Sequence, residues 1–121
     1  MKVYEYKACS TCRKAVKFLN DNDIAFEAVP IVDRPPTKTE LKKMLNHLKS
    51  EGGSLKNLFN TSGELYREFK VADQLKAGMS EAEALELLSA NGKLIKRPFV
   101  LVDEKGLVGF DEAEWKKFFK V

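Results

Sequence analysis

The sequence predicts an α/β protein, and three observations carry that prediction. A strand-like alternation at the N-terminus runs within a few residues into a helical apolar stripe. Some sixty residues of helical texture follow, punctuated by repeated cap signals. Two short runs rich in strand formers then close the chain ahead of one last helix.

Taken in order, "KVYEY" sets Val3 and Glu5 against Tyr4 and Tyr6 and reads as a first strand. Cys12, Ala15, Val16 and Leu19 then recur at i, i+3, i+4, i+7, the stripe of a helix aimed at a core, and "NDND" ends it. "IAFEAVPIV" reads as a second strand, with Pro30 making it an edge or terminating it. Three pairs have the capping-box form at the starts of helices: Thr37 with Glu40, Thr61 with Glu64, and Ser80 with Glu83. Between them, Leu41, Met44, Leu45 and Leu48 share one helix face, and Ala84, Leu87 and Leu88 another, while Gly52, Gly53 and Gly78 punctuate. Phe99–Val102, the turn "DEKG" and the run 107–110 make a hairpin. Asp111 with Glu114 caps a last helix whose Trp115, Phe118 and Phe119 pack back. The order is β-α-β, a helical stretch, then β-β-α.

A chain of 121 residues is one domain's worth and closes a core without staples. Its 21 basic and 18 acidic residues are interspersed, giving +3 and no concentrated basic patch, which argues against direct nucleic-acid binding. No apolar run approaches the ~20 residues of a membrane span, and "MKVYEYKACS" is unlike a secretory signal. The expectation is a cytoplasmic monomer, in a compartment where thiols stay reduced and a cysteine pair is chemical rather than structural.

Both cysteines fall in "YKACSTCRKAVKFL". With a helix starting near Ser10, Cys9 takes its N-cap, where unpaired first-turn amides and the positive end of the helix dipole favour a thiolate; Arg13 lies nearby. Cys12 sits one turn inside, among Ala15 and Val16, and is expected to be more buried and less acidic. Such an asymmetry suits an attacking and a resolving thiol. A structural staple closing so short a ring gains little. A zinc site wants four ligands where the chain offers two cysteines and His47, so no metal is expected. Inert cysteines packed at a strand–helix junction remain the competing reading.

With "LIKRPFVL", "PPTKTEL" and "FNTSGELYREF", these residues make the whole chain resemble the arsenate reductase-like family, which unites glutaredoxin-coupled arsenate reductases with Spx-type transcription regulators. The resemblance implies a thioredoxin-like fold over 1–121, a mixed sheet with flanking helices and a helical insertion after the second strand, spanning about 33–96. It matches Cys9 to the nucleophile, and Arg13 and Arg97 to arginines that stabilise the thiolate and any anionic substrate. Pro98 then corresponds to a cis-proline shaping the substrate groove. Where arsenate reductases of the family carry three arginines, this chain keeps Arg97, with Asn60 and the Gly109 region at the other places, and it adds Cys12.

The implied function is a thiol–disulfide oxidoreductase with Cys9 attacking and Cys12 resolving. Its electron donor would be glutathione, a glutaredoxin or a thioredoxin, with no bound cofactor. Two alternatives follow from the same resemblance: a redox-gated regulator that binds the RNA polymerase alpha subunit, and arsenate reduction proper.

Overall fold

Val3 and Tyr4 point to opposite faces of one sheet, and each face carries its own core. The computed structural model describes residues 1–121. Its elements are β1 (Lys2–Glu5), α1 (Ser10–Asp21), β2 (Glu27–Pro30), α2 (Lys38–Ser50), α3 (Glu64–Glu68), α4 (Val71–Lys76), α5 (Glu81–Ala90), β3 (Phe99–Val102), β4 (Lys105–Val108) and α6 (Glu112–Phe119). Short 3₁₀ turns lie at Leu55–Leu58 and Gly92–Leu94. The sheet order is β2-β1-β3-β4, with β1 parallel to β2 across the α1 crossover and the remaining pairs antiparallel.

On one face Tyr4, Val29 and Phe99 meet Leu41, Met44 and Leu45 of α2, Val71 of α4, and Ala84, Leu85 and Leu88 of α5. The helices between β2 and β3 therefore share their core with the sheet. On the other face Val3 and Val100 pack under Ala15, Phe18 and Leu19 of α1 and under Trp115 of α6. Trp115 also donates its indole N–H to the Gly109 carbonyl at 3.1 Å, satisfying its one polar atom.

Thr37 forms the full capping box: its hydroxyl accepts the Glu40 N–H at 3.1 Å and Glu40 accepts the Thr37 N–H at 3.0 Å. Ser80 and Asp111 accept the N–H three residues on, as expected; at Ser80 the glutamate takes the hydroxyl proton instead of reaching the main chain. The Thr61–Glu64 box is absent. Gly63 donates to the Asn60 carbonyl at 3.1 Å, closing a turn, and α3 starts only at Glu64, with Gly63 as its cap. A Cβ at Gly63 would lie 2.8 Å from the Asn60 amide nitrogen, so local packing, not a hydroxyl, ends the turn.

Other features differ from the sequence pattern. β2 is shorter than the run 24–32; it is an edge strand and also ends at Pro30, so both alternatives for that proline hold. The hairpin turn tightens to Asp103–Glu104, with Asp103 at φ +55, because Val102 pairs with Lys105; Phe110 leaves the strand for the aromatic cluster of Phe18 and Trp115. In α1, Phe18 replaces Val16 in the buried stripe because α6 widens the core on that side. In α5, Leu85 is buried and Leu87 half-buried. No helix is long and apolar enough to cross a membrane.

Candidate active site

β1 runs into α1 through a tight connection in which Cys9 donates its N–H to the Tyr6 carbonyl at 2.9 Å. That bond fixes Cys9 as the N-cap of α1, with extended backbone (φ −90, ψ 118). At α2, α5 and α6 the position is filled by Thr37, Ser80 and Asp111, whose oxygens accept a first-turn N–H. At α1 a sulfur replaces the oxygen, and as a neutral thiol it makes no cap hydrogen bond.

The charged form is another matter. Burial opposes charge on Cys9, but the Cys12 main-chain N–H, the Cys12 S–H and the Arg97 guanidinium all favour the thiolate. Together they hold the Cys9 pKa below the ordinary thiol value. Cys12 is fully buried. Burial, with the hydrogen bond and negative charge of Cys9 added, pushes its pKa up to about 12. The two thiols, three residues apart on one helix end, are thus oppositely tuned; both are free cysteines here.

Arg97 reaches this site from the turn ahead of β3. Its guanidinium carbon lies 4.8 Å from the centroid of the Tyr6 ring, Nη1 donates to the Lys93 carbonyl at 3.3 Å, and Nε is buried without a partner. The Arg97–Pro98 peptide is cis, and Pro98 is buried, its carbonyl accepting the Gly109 N–H at 3.0 Å. That bond ties the residue before the hairpin to the residue after it. Arg13, by contrast, is exposed on α1 and does not line the cavity at Cys9. The arginine acting on the sulfur is Arg97, 88 positions away in sequence.

Cys9 opens onto a cavity of about 510 Å³. Lys96 and Arg97 bring positive charge to its lining, Asp111 and Glu114 negative charge, and Asn60 and Ser62 neutral polar groups. None of these four charged residues is in a salt bridge. Gly109 lies at φ +73, and a Cβ there would sit 2.9 Å from Lys96 Cε, so the lysine stem lies across the glycine. Of this lining the sequence pattern points to Cys9 and the family resemblance to Arg97, with Asn60 and the Gly109 region standing where the family's other arginines would be; neither points to Lys96, Ser62 or Glu114. For Lys96 the signal was its place in the basic pair before Pro98; Asp111 and Glu114 read only as a helix cap. His47 lies half-buried at the far end of α2, away from this cavity.

This arrangement has known counterparts. The ArsC family model matches residues 4–118. The chain is 43% identical to YusI of Bacillus subtilis over 114 residues, covering 94% of this chain and 93% of that one. It is 30% identical over 112 residues to the global transcriptional regulator Spx of Streptococcus mutans, covering 92% of this chain and 77% of Spx. An ArsC-family-related protein from Bacteroides fragilis superposes with a TM-score of 0.85 at 44% identity, covering 96% of each chain. With the match running through nearly every element that builds the fold and the cysteine pair, this thioredoxin-like chain belongs to the ArsC family.

Proposed function

We propose that the protein is a thiol–disulfide oxidoreductase in which Cys9 attacks and Cys12 resolves. The single observation that carries this reading is the placement of two thiols one helical turn apart, the outer one at the helix N-cap and open to the cavity, the inner one fully buried, in surroundings that tune them in opposite directions. A Cys9 thiolate attacks one sulfur of a disulfide substrate, forming a mixed disulfide and expelling the other sulfur as a thiolate. Cys12 then loses its proton and attacks the Cys9 sulfur, forming the Cys9–Cys12 disulfide and releasing the second substrate thiolate. Two electrons pass from the pair to the substrate. A dithiol or two monothiols, with glutathione, a glutaredoxin or a thioredoxin as the candidate classes, return the electrons.

The order of steps follows from electrostatics. Burial is the largest influence keeping Cys12 protonated, and the hydrogen bond and negative charge of Cys9 add to it. Once Cys9 is tied in a mixed disulfide, the last two vanish, while the Tyr6 main chain and Arg97 continue to favour a Cys12 thiolate. Cys12 thus gives up its proton more readily when there is an adduct to resolve.

The cavity favours this chemistry over arsenate reduction. A multiply charged oxyanion gains from clustered cations, whereas here Lys96 and Arg97 are balanced by Asp111 and Glu114, with Asn60 neutral between them. The test is a trapping experiment with a small disulfide such as oxidised glutathione. Cys12→Ser should accumulate a mixed disulfide on Cys9, wild type should pass to an intramolecular disulfide, and Cys9→Ser should form neither. Adduct formation at Cys12 in the Cys9→Ser protein at the wild-type rate would overturn the assignment.

A second reading is favoured by the Spx relative. Spx is a transcriptional regulator, and the similarity covers 92% of this chain. On that reading the same cysteine pair gates binding to the RNA polymerase alpha subunit. Capture of the alpha C-terminal domain that depends on the oxidation state of the pair would establish it; no capture in either state would remove it.

A further inference from the structure

Arg97 is the cation at Cys9, yet no carboxylate holds it in place: it is in no salt bridge, and its contacts are one long hydrogen bond to the Lys93 carbonyl and the face of Tyr6. Tyr6 itself is half-buried against the large core and sits three residues before Cys9, whose N–H its carbonyl accepts at 2.9 Å. The tyrosine therefore touches both halves of the site, the nucleophile through its main chain and the cation through its ring. A guanidinium held by an aspartate would be well fixed but largely neutralised, and its field at a nearby sulfur would fall accordingly. An aromatic face attracts a cation through its quadrupole and has no net charge to subtract.

We propose that Tyr6 is a positioning residue whose ring face holds the Arg97 guanidinium beside the Cys9 sulfur while leaving the cation's charge uncompensated. The buried Nε of Arg97 has no hydrogen-bond partner, so no other group of the protein draws on the guanidinium at that atom. The ring of Tyr6 carries this role, and its hydroxyl has no part in it. The inference rests on Cys9 being the acidic nucleophile proposed above.

The experiment measures the iodoacetamide alkylation rate of Cys9 across pH in a Cys12→Ser background, with Lys96, Asp111 and Glu114 retained throughout. Tyr6→Leu should raise the titration midpoint and slow alkylation at neutral pH by about two- to tenfold, the range expected for a partly buried cation–π contact. Tyr6→Phe should restore the parent profile. Tyr6→Leu added to Arg97→Gln should change little further, because the ring acts through the arginine. A Tyr6→Leu protein that titrates like its parent overturns the proposal, as do shifts that simply add in the double variant. Should Tyr6→Leu not fold, phenylalanines of increasing fluorination at position 6 keep the shape and drain the ring face; reactivity should fall with each fluorine, and a flat series overturns the proposal. A parent Cys9 that titrates like an ordinary thiol overturns both this inference and the function proposed above, whereas an acidic Cys9 indifferent to Tyr6 overturns this inference alone.

Discussion

The phenol of Tyr4 on β1 donates to the Glu40 carboxylate on α2 at 2.9 Å, and the same carboxylate accepts the Thr37 N–H that opens the helix. One side chain thus satisfies a buried hydroxyl and caps a helix. Glu40→Ala should cost about 2–3 kcal/mol, from an orphaned buried hydroxyl and half a capping box together. Glu40→Gln, which can still accept both bonds, should lose much less. Urea unfolding midpoints of the two variants check the difference.

Burial first, and then Glu40, hold the Tyr4 pKa well above its ordinary 10.0. The sign follows: a raised folded pKa stabilises the fold fully below pH 10.0, and that contribution declines as pH climbs beyond 10.0, because the unfolded chain releases its proton first. Cys12, pushed up to about 12 from 9.0, adds a decline of the same sign starting near 9.0. Stability measured against pH should therefore fall on the alkaline side in wild type, and less steeply in Tyr4→Phe. Parallel curves would show that Tyr4 is not the titrating group.

The two arginines that the family resemblance assigns to the thiolate should separate cleanly. Arg97→Gln removes the cation acting on Cys9 and should slow its alkylation at neutral pH by about tenfold, the worth of one charge-assisted contact. Arg13→Gln, on the exposed side of α1, should leave the rate within about twofold of wild type. Equal losses in both would mean that the field of the whole helix, not one contact, sets the reactivity.

Cys12 supplies the Cys9 thiolate with both a main-chain N–H and a side-chain S–H. Cys12→Ala keeps the first and deletes the second, so the Cys9 titration should move up by about one pH unit. Cys12→Ser offers an O–H in its place and should stay close to wild type. Thiol titration followed by thiolate absorbance distinguishes the two.

Gly92→Ala should be severe. A Cβ there would stand 1.9 Å from the Ile31 carbonyl oxygen, a backbone atom that cannot rotate away. The cost is expected to exceed about 3 kcal/mol, among the larger values for one substitution. Thermal unfolding of the variant checks it, and a near-native midpoint would show that the connection after β2 yields easily.

Element types were legible because they rest on periodicity and on local chemistry. Helix α1, the box at Thr37 and the hairpin around "DEKG" involve residues within a turn of one another, and each element formed there, the stripe and the turn differing only in detail. Thr61 failed as a cap for the opposite reason: the turn from Asn60 to Gly63 is held at Asn60 by the Leu94 carbonyl, which accepts the Asn60 N–H at 2.7 Å from 34 residues away. Phe18 entered the core for a similar reason, since the aromatic residues of α6 that cover it lie nearly a hundred positions on.

The site divides in the same way. By itself the sequence determined that Cys9 would occupy a helix N-cap with Cys12 a turn deeper, because capping and helical spacing depend on adjacent residues alone. Only the tertiary structure decided which cation meets the sulfur. Antiparallel pairing of β3 with β1 carries Arg97 to the ring of Tyr6, while Arg13, four residues from Cys9, is turned outward by the helix itself. A residue's reach to a charge is set by distance through space, and folding makes that distance independent of separation along the chain.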